Sequence, residues 1–204
     1  MSKSLLVEYT PLNLTPQLIN ESIAKNNGVL MVEGVIQRAG AKNHNGRVYP
    51  KNILEAEVEK YIDGPVNERR AYGELDHSND SVINLKNVCL NIQKLWWNDD
   101  DLMGKIEILT TPSGNIVKEL FKCGGTVGIS SRALGSVRQL DENTVGVQDD
   151  LELICWDIVS TPSTHGAFVT PINEGMSRLP QGKYQKVNGI LRDIICLNTN
   201  VCSL

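Results

Sequence analysis

The segment GGTVGISSRALGS, residues 124–136, concentrates the residues of this chain that could do chemistry. It holds four glycines, three serines and one arginine. Glycine-rich loops can cradle a phosphate on backbone N–H groups at the start of a helix. This segment has neither G-K-[ST] nor G-x-G-x-x-G, and its glycines follow a predicted helix and precede a predicted strand. That order is wrong for both nucleotide motifs, so the segment does not favour nucleotide binding.

A nucleophilic serine is the second chemistry that this segment could supply. Such a serine needs a histidine to take its proton and an acid to orient that histidine. The three histidines of the chain are His44, His77 and His165. Because side chains alternate along a strand, Ser130 and Ser131 point to opposite faces, and at most one of them can meet a given histidine. The residues alone leave open which serine this is, and whether any histidine has more than a structural role.

Composition and charge narrow the class of protein. The 204 residues, 41% hydrophobic and 22% charged, are typical of one soluble globular domain. A net charge of −4 argues against a broad basic face for nucleic acid. We therefore expect no requirement for nucleic acid. The chain contains no apolar run long enough to cross a bilayer, so we expect no membrane insertion.

The cysteines and the N-terminal sequence predict a cytoplasmic protein. The five cysteines are odd in number and form no C-x-x-C pair, which is typical of reduced thiols rather than of a zinc site. The first residues, MSKSLLVEYT, lack the apolar stretch of a signal peptide. No H-E-x-x-H motif is present, so neither a metal nor another cofactor is expected.

Hydrophobic periodicity predicts the elements that must position these residues. Helices are expected to begin at Thr15-Pro16, Pro50 and Thr111-Pro112, since proline suits the first helical turn, and the third is expected to end at Gly124-Gly125. Hairpin turns are expected at 98–101 and 141–143. Strands are predicted over 29–36, with a bulge at Gly34, and over 87–96, 102–109, 126–131 and 151–159.

This arrangement of elements predicts an α+β domain, because the strands are joined in hairpins rather than in regular βαβ alternation. We divide the chain into an N-terminal arm with a short helix, a central domain and a polar, removable C-terminal tail. The three parts span residues 1–28, 29–171 and 172–204.

Three segments carry a resemblance to a known family. They are GRVYPKNILEAEVEKYI leading to GELDH, then VGISSRALGS, then LICWDIVSTPSTHGAFVTP. In this order they resemble the prohead proteases of tailed bacteriophages, especially those of the large T4-like phages. The resemblance implies a fold similar to the herpesvirus assembly proteases, a bent and mostly antiparallel β-barrel surrounded by helices. It also implies a serine endopeptidase with a serine and a histidine as its catalytic pair.

The resemblance assigns roles to residues of this chain. The histidine of GELDH is His77, the implied base, and the first serine of VGISS is Ser130, the implied nucleophile. The third member of the site varies between an acid and a histidine in these families. Asp157 of CWDIVSTP is the predicted residue and His165 is its rival. Asp76 is less favoured, because neighbours in an extended segment point to opposite sides.

The oxyanion formed during peptide hydrolysis needs hydrogen-bond donors that the sequence does not identify. The candidates for oxyanion or electrostatic support are Ser131, Arg132 and Gly166. Backbone N–H groups would act in the glycine-rich segment and in the loop 161–166. For Arg132 a surface ion pair is the alternative role.

The resemblance also implies substrates and a location. Scaffolding or core proteins and the major capsid protein would be cleaved inside the prohead, in the cytoplasm of a bacterial host. Relatives prefer to cleave after a glutamate that follows Leu or Ile by two or three residues. Self-cleavage is therefore expected at such triplets of this chain, which are Leu6-Val7-Glu8, Ile19-Asn20-Glu21 and Ile172-Asn173-Glu174. Ile53-Leu54-Glu55, inside a predicted helix, illustrates how such triplets arise by chance.

Other readings stay open at this point. The chain could be a non-catalytic structural component of the prohead core, or a metal-dependent hydrolase using His77 and Asp76. The sequence also leaves open whether the chain associates with copies of itself.

Overall fold

The computed structural model describes residues 4–7, 10–12, 16–43, 45–78, 80–125, 127–160 and 169–171. Within these residues the helices are α1 Pro16–Lys25, α2 Lys51–Tyr61 and α3 Pro112–Lys122, and a π-helical turn, Ile62–Val66, follows α2. The strands are β1 Ser4–Val7, β2 Thr10–Leu12, β3 Leu30–Arg38, β4 Arg47–Val48, β5 Tyr72–Glu74, β6 Val88–Asn98, β7 Asp101–Ile108, β8 Val127–Gly135, β9 Val137–Asp141, β10 Thr144–Val147, β11 Glu152–Val159 and β12 Val169–Pro171.

The prolines start helices where the sequence predicts. Pro50 has extended backbone angles and α2 begins at the next residue. Thr111 caps α3, because its hydroxyl accepts a hydrogen bond from Gly114 N at 3.1 Å and satisfies a free amide of the first turn. Past the end of α3, Gly124 has a φ of 75°, the left-handed conformation that suits glycine after a helix. The predicted helix starts at Pro50 and Pro112 are therefore confirmed.

A five-stranded sheet forms the larger layer, in the order β12-β3-β7-β6-β5. All of its pairs are antiparallel. The β6–β7 hairpin is confirmed, with a turn at Asp99, whose φ is 53°. The register irregularity in β3 lies between Val35 and Gln37, so the bulge predicted at Gly34 is displaced along the strand. Gly34 itself pairs with Gly104.

A second sheet carries the serine-rich segment. Its middle strand is β8, which pairs antiparallel with β11 along one edge. β1 and β2 pair antiparallel with separate parts of β8, and the sequence did not predict these two strands. A third, small sheet has the order β4-β10-β9 and includes the predicted hairpin turn between β9 and β10.

The prediction of a closed β-barrel needs correction. The described strands form three sheets, and the first two meet at an isolated parallel bridge between Leu75 and Ile158. A barrel requires a ladder of hydrogen bonds that continues around all its strands, and one bridge between sheets does not supply it. The α+β class with mostly antiparallel sheets is confirmed, whereas the likeness to herpesvirus proteases stays a prediction.

The apolar core lies between the sheets and the helices. Fully buried members come from α1, α2, α3 and both larger sheets, including Ile19, Leu54, Phe121, Ile106 and Trp156. Burial of such side chains contributes about 1.5–3 kcal/mol each and fixes the strands that carry the polar residues described below. None of the helices in the described part of the chain is long and apolar enough to span a membrane.

Candidate active site

Ser130 and Asp157 lie side by side on neighbouring strands. Ser130 is on β8, and its cross-strand partner on β11 is Asp157. Both residues are fully buried. Because directly opposed residues of an antiparallel pair share a face, the ladder brings a hydroxyl and a carboxylate to the same side of the sheet.

His77 reaches this face from a turn after β5. Leu75 forms the bridge to Ile158, and Asp76 N donates to the Ile158 carbonyl at 2.7 Å. Asp76 has a φ of 67°, a left-handed conformation that aspartate tolerates better than most residues. Its carboxylate accepts a hydrogen bond from His77 N at 2.9 Å. The turn thus redirects the chain so that the imidazole lies over β8 and β11.

A glycine allows β5 to approach β11 this closely. A Cβ on Gly73 would lie 1.9 Å from the carbonyl oxygen of Trp156. No side chain fits at that distance, so the absence of a Cβ is a requirement of the close packing.

The three side chains form a continuous hydrogen-bonded chain. His77 Nε2 is 2.9 Å from Ser130 Oγ, and His77 Nδ1 is 2.8 Å from Asp157 Oδ2. An ionised carboxylate only accepts hydrogen bonds, so Nδ1 carries a proton and Nε2 is free to accept the serine proton. The His77 side chain remains 20% exposed. This geometry can activate a serine for attack on a carbonyl carbon.

The Asp157 carboxylate is fixed by further contacts. Oδ1 accepts hydrogen bonds from Glu74 N at 2.8 Å and from the Cys155 thiol at 3.2 Å. Burial, followed by the charge of Asp157, raises the pKa of Cys155 well above its ordinary value, so the side chain is a neutral thiol. A neutral thiol can donate its proton to the carboxylate. Asp157 is thus oriented from β5 and from its own strand.

Arg132 lies behind these three side chains, on the face that carries Ser130. Its Nη2 donates to Glu74 Oε1 at 2.7 Å and to Asp157 Oδ1 at 3.3 Å, and its Nε is 3.0 Å from Asp157 Oδ2. The Nε contact is an ion pair without hydrogen-bond alignment. All three side chains are fully buried. Burial alone would lower the pKa of Arg132, but the hydrogen bond to Glu74 and the charge of Asp157 raise it overall. The guanidinium is therefore charged.

The same guanidinium holds the segment that follows His77. Arg132 Nη1 donates to Ser78 Oγ at 2.5 Å and to the Asp80 carbonyl at 2.8 Å. Glu74 Oε1 also accepts from Asn84 N at 3.0 Å. The start of this segment is therefore bonded to Arg132 and its end, at Asn84, to Glu74. These two buried side chains carry opposite charges.

Ser131 faces the other way, as strand alternation predicts. Its cross-strand partner is Trp156, whose ring meets Tyr61 edge-on at a centroid distance of 5.2 Å. Ser131 Oγ is buried and has no hydrogen-bond partner in the described part of the chain. Its side chain therefore lies on the core side of the sheet, away from His77.

The predicted site residues fall into three groups. Ser130, His77 and Asp157 are brought together, and Arg132 supports them. Ser131 is on the opposite face, and Asp76 shapes the turn. His44, His165 and Gly166 lie outside the described residues. Sequence reasoning missed Glu74 and Cys155, although Glu74 lies three residues before His77 in GELDH.

Two surface hollows lie elsewhere. One, of about 460 Å³, is at the turn of the β6–β7 hairpin, and the other, of about 380 Å³, runs along α3 beside Ile116 and Leu120. Neither is lined by Ser130, His77 or Asp157. Among the described residues, no group of three or more His, Cys, Asp or Glu side chains could hold a metal ion.

Comparison with known proteins identifies the family. The family model described as "Prohead core protein serine protease" matches residues 14–177. The prohead core protein protease of Enterobacteria phage T4 is 32% identical over 145 residues, which cover 70% of this chain and 68% of the relative. The solved structure of the capsid assembly protease of bacteriophage T4 has the same fold, with a TM-score of 0.67 and 24% identity over 78% of this chain and 99% of that one. This chain belongs to the family of prohead core proteases.

Proposed function

We propose that this prohead protease is a serine endopeptidase in which Ser130 is the nucleophile, His77 the general base and Asp157 the residue that orients His77. The observation that carries the proposal is the pair of contacts at His77, 2.9 Å to Ser130 Oγ and 2.8 Å to Asp157 Oδ2. Both distances are within the range needed for proton transfer in the ground state.

The mechanism follows from these contacts. Ser130 Oγ attacks the scissile carbonyl carbon while its proton passes to His77 Nε2. The imidazolium is stabilised by Asp157 and then gives the proton to the leaving amine. A water molecule, deprotonated by the same nitrogen, attacks the acyl-enzyme and regenerates Ser130. Peptide bonds are cleaved without a cofactor in this scheme.

Oxyanion stabilisation is assigned to backbone N–H groups, with those of Ser131 and Gly166 as candidates. One such donor contributes about 3–4 kcal/mol to lowering the barrier. Arg132 acts as electrostatic support instead, because its nitrogens are engaged by Glu74 and Asp157 and by the segment after His77.

The substrates are proposed from the roles for which the relatives are named. One is a prohead core protein protease and the other a capsid assembly protease. We infer that this chain acts inside the prohead, within a bacterial host, on the scaffolding or core proteins and the major capsid protein. We further propose cleavage after glutamate preceded by Leu or Ile.

Self-cleavage is proposed at the ends of the chain. Ile19-Asn20-Glu21 lies inside α1 with Ile19 fully buried, so this triplet would need local unfolding before cleavage. Leu6 and Val7 belong to β1, so cleavage at Leu6-Val7-Glu8 would need this strand to leave β8 first. Ile172-Asn173-Glu174 is the third candidate, and Glu8 and 172–174 lie outside the described residues.

Co-expression with a core protein tests the mechanism. Ser130→Ala and His77→Ala should abolish processing, whereas Ser131→Ala, a matched change on the opposite face, should retain it. Asp157→Asn should lower the rate about ten-thousandfold, because an amide can stabilise the wrong imidazole tautomer. Processing at the wild-type rate by Ser130→Ala would overturn the serine mechanism. Absence of processing by the wild type with every core and capsid protein would favour a non-catalytic structural role.

A further inference from the structure

The N-terminal residues lie along the strand that carries Ser130. β1 pairs with residues 132–135 of β8, and β2 pairs with residues 127–129. Val7 is opposite Arg132 and Thr10 is opposite Ile129. The two stretches of pairing therefore lie on either side of Ser130 and Ser131. The two parts of the N-terminal region that pair with β8, residues 4–7 and 10–12, are together called the arm below.

The arm and β11 use different edges of β8. β11 pairs with residues 128–134, with Asp157 opposite Ser130, and so occupies one edge. The arm pairs with overlapping residues of the same strand and must use the other edge. An incoming peptide that adds to β8 as an extended strand can use only the edge where the arm lies, since Asp157 must stay beside His77.

The burial of Ser130 is a second observation, and it shows that the hydroxyl is closed to a peptide in this structure. Ser130 is 0% exposed, although His77 retains 20% exposure at its side chain. Attack on a peptide requires the carbonyl carbon to come within about 3–3.5 Å of Oγ. The structure therefore represents a state that a substrate chain cannot enter without a rearrangement.

We propose that the arm occupies the peptide-binding edge of β8 and that a substrate chain binds there, antiparallel to β8, after the arm has moved away. The inference rests on the proposed serine mechanism. An extended peptide is the fitting partner, because strand addition recognises backbone N–H and C=O groups and tolerates many side chains. Arm and substrate exclude each other, since both need the same edge.

Loosening the arm in the full chain is the first test. Leu5→Pro combined with Leu6→Pro removes two successive backbone N–H groups, one of which must face β8, and should weaken the pairing of β1 with β8. The readout is the rate at which a fluorophosphonate labels Ser130, measured by intact mass. In this reaction Oγ bonds to phosphorus, fluoride leaves and His77 takes the proton.

We expect the loosened variant to be labelled at least about tenfold faster than the wild type. A tenfold rise results when the fraction of molecules with an accessible Ser130 increases from about a tenth to nearly all. Ser2→Pro with Lys3→Pro, just before β1, is the matched control and should label at the wild-type rate. Equal rates in the wild type and the loosened variant would overturn the inference and leave the serine mechanism intact. Absence of labelling in every variant would instead overturn the serine mechanism and the inference with it.

The second test is a disulfide that holds β1 on β8 and can be reduced. It does not depend on the folding of a proline variant. Leu5 and Leu134 are Cα partners in the β1–β8 register. Opposed residues of antiparallel strands are about 4.5–5.5 Å apart, within the range for a disulfide. Leu5→Cys with Leu134→Cys should label at least about tenfold more slowly when oxidised and recover on reduction. The two single-cysteine variants are controls. Undiminished labelling of the locked chain would contradict the proposal.

Discussion

Replacing Arg132 with methionine should destabilise the fold severely, because the guanidinium is shared by two buried carboxylates. Glu74 and Asp157 both contact Arg132, and all three side chains are fully buried. Removing one partner of a buried ion pair costs about 3–5 kcal/mol, since an uncompensated charge is left behind. With two carboxylates affected, we expect a loss of about 4–5 kcal/mol in the free energy of unfolding.

Urea unfolding at pH 7 measures this loss, with all variants built on Ser130→Ala so that the chain cannot cleave itself. With a slope of about 2 kcal/mol per molar urea, the midpoint should fall by about 2 M. Arg70→Met is the matched control. Arg70 also pairs with a glutamate, Glu68, but both side chains are 56% exposed. An exposed pair contributes little, so the control should keep the urea midpoint of the parent.

A double-mutant cycle tests the electrostatic origin of the loss. Glu74→Gln keeps an oxygen that can accept from Arg132 and removes the charge. Combined with Arg132→Met, it leaves Asp157 as the remaining charge of the trio, still bonded to His77. We expect the double variant to be at least about 2 kcal/mol more stable than the two single losses would predict. Additive losses would refute the reasoning and indicate that Arg132 acts through packing alone.

Further predictions concern backbone packing and pH. Gly73→Ala should lower the free energy of unfolding by several kcal/mol and reduce processing activity, because its Cβ would lie 1.9 Å from the Trp156 carbonyl oxygen. Gly64→Ala is the control, since a Cβ there would meet only the flexible end of an arginine side chain, 3.8 Å away. It should be nearly neutral in urea unfolding and in processing. Folding raises the pKa of Cys155 above its ordinary 9.0, mainly through burial. The Cys155 thiol ionises first in the unfolded chain, so its ionisation favours unfolding above about pH 9. Its contribution should lower the free energy of unfolding by about 1.4 kcal/mol for each further pH unit. Urea unfolding at pH 8 and pH 10 should show a smaller fall in Cys155→Ala than in the exposed-site control Cys123→Ala.

The elements predicted best from the sequence are those with local signals. Pro50 and Pro112 mark helix starts, and the alternating residues of β6 and β7 mark a hairpin. Strand alternation also predicts correctly that Ser130 and Ser131 face opposite ways. β1, β5 and β12 have three or four residues each, too few for a period to be recognised. Their existence depends on neighbours distant in sequence.

The site was less predictable because its contacts are made between distant parts of the chain. Residues alone did not choose between Ser130 and Ser131, and the family resemblance supplied that choice. The link from His77 to Asp157 spans 80 positions, and that from Glu74 to Arg132 spans 58. No local pattern distinguishes a glutamate that will be buried beside an arginine from one that will be solvated. The bridge between Leu75 and Ile158, which brings the end of β5 against β11, is what decides it.

The charges of the buried trio match the proton transfer from Ser130 to His77 in the proposed mechanism. Glu74, Arg132 and Asp157 are fully buried and together carry one net negative charge. When His77 takes the proton from Ser130, its positive charge appears 2.8 Å from Asp157 and balances the group. Without Glu74, the guanidinium alone would neutralise Asp157 and leave little net charge to stabilise the imidazolium. In that mechanism Glu74 supports catalysis without contacting His77, because it allows Arg132 to hold Asp157 while the site keeps its negative charge.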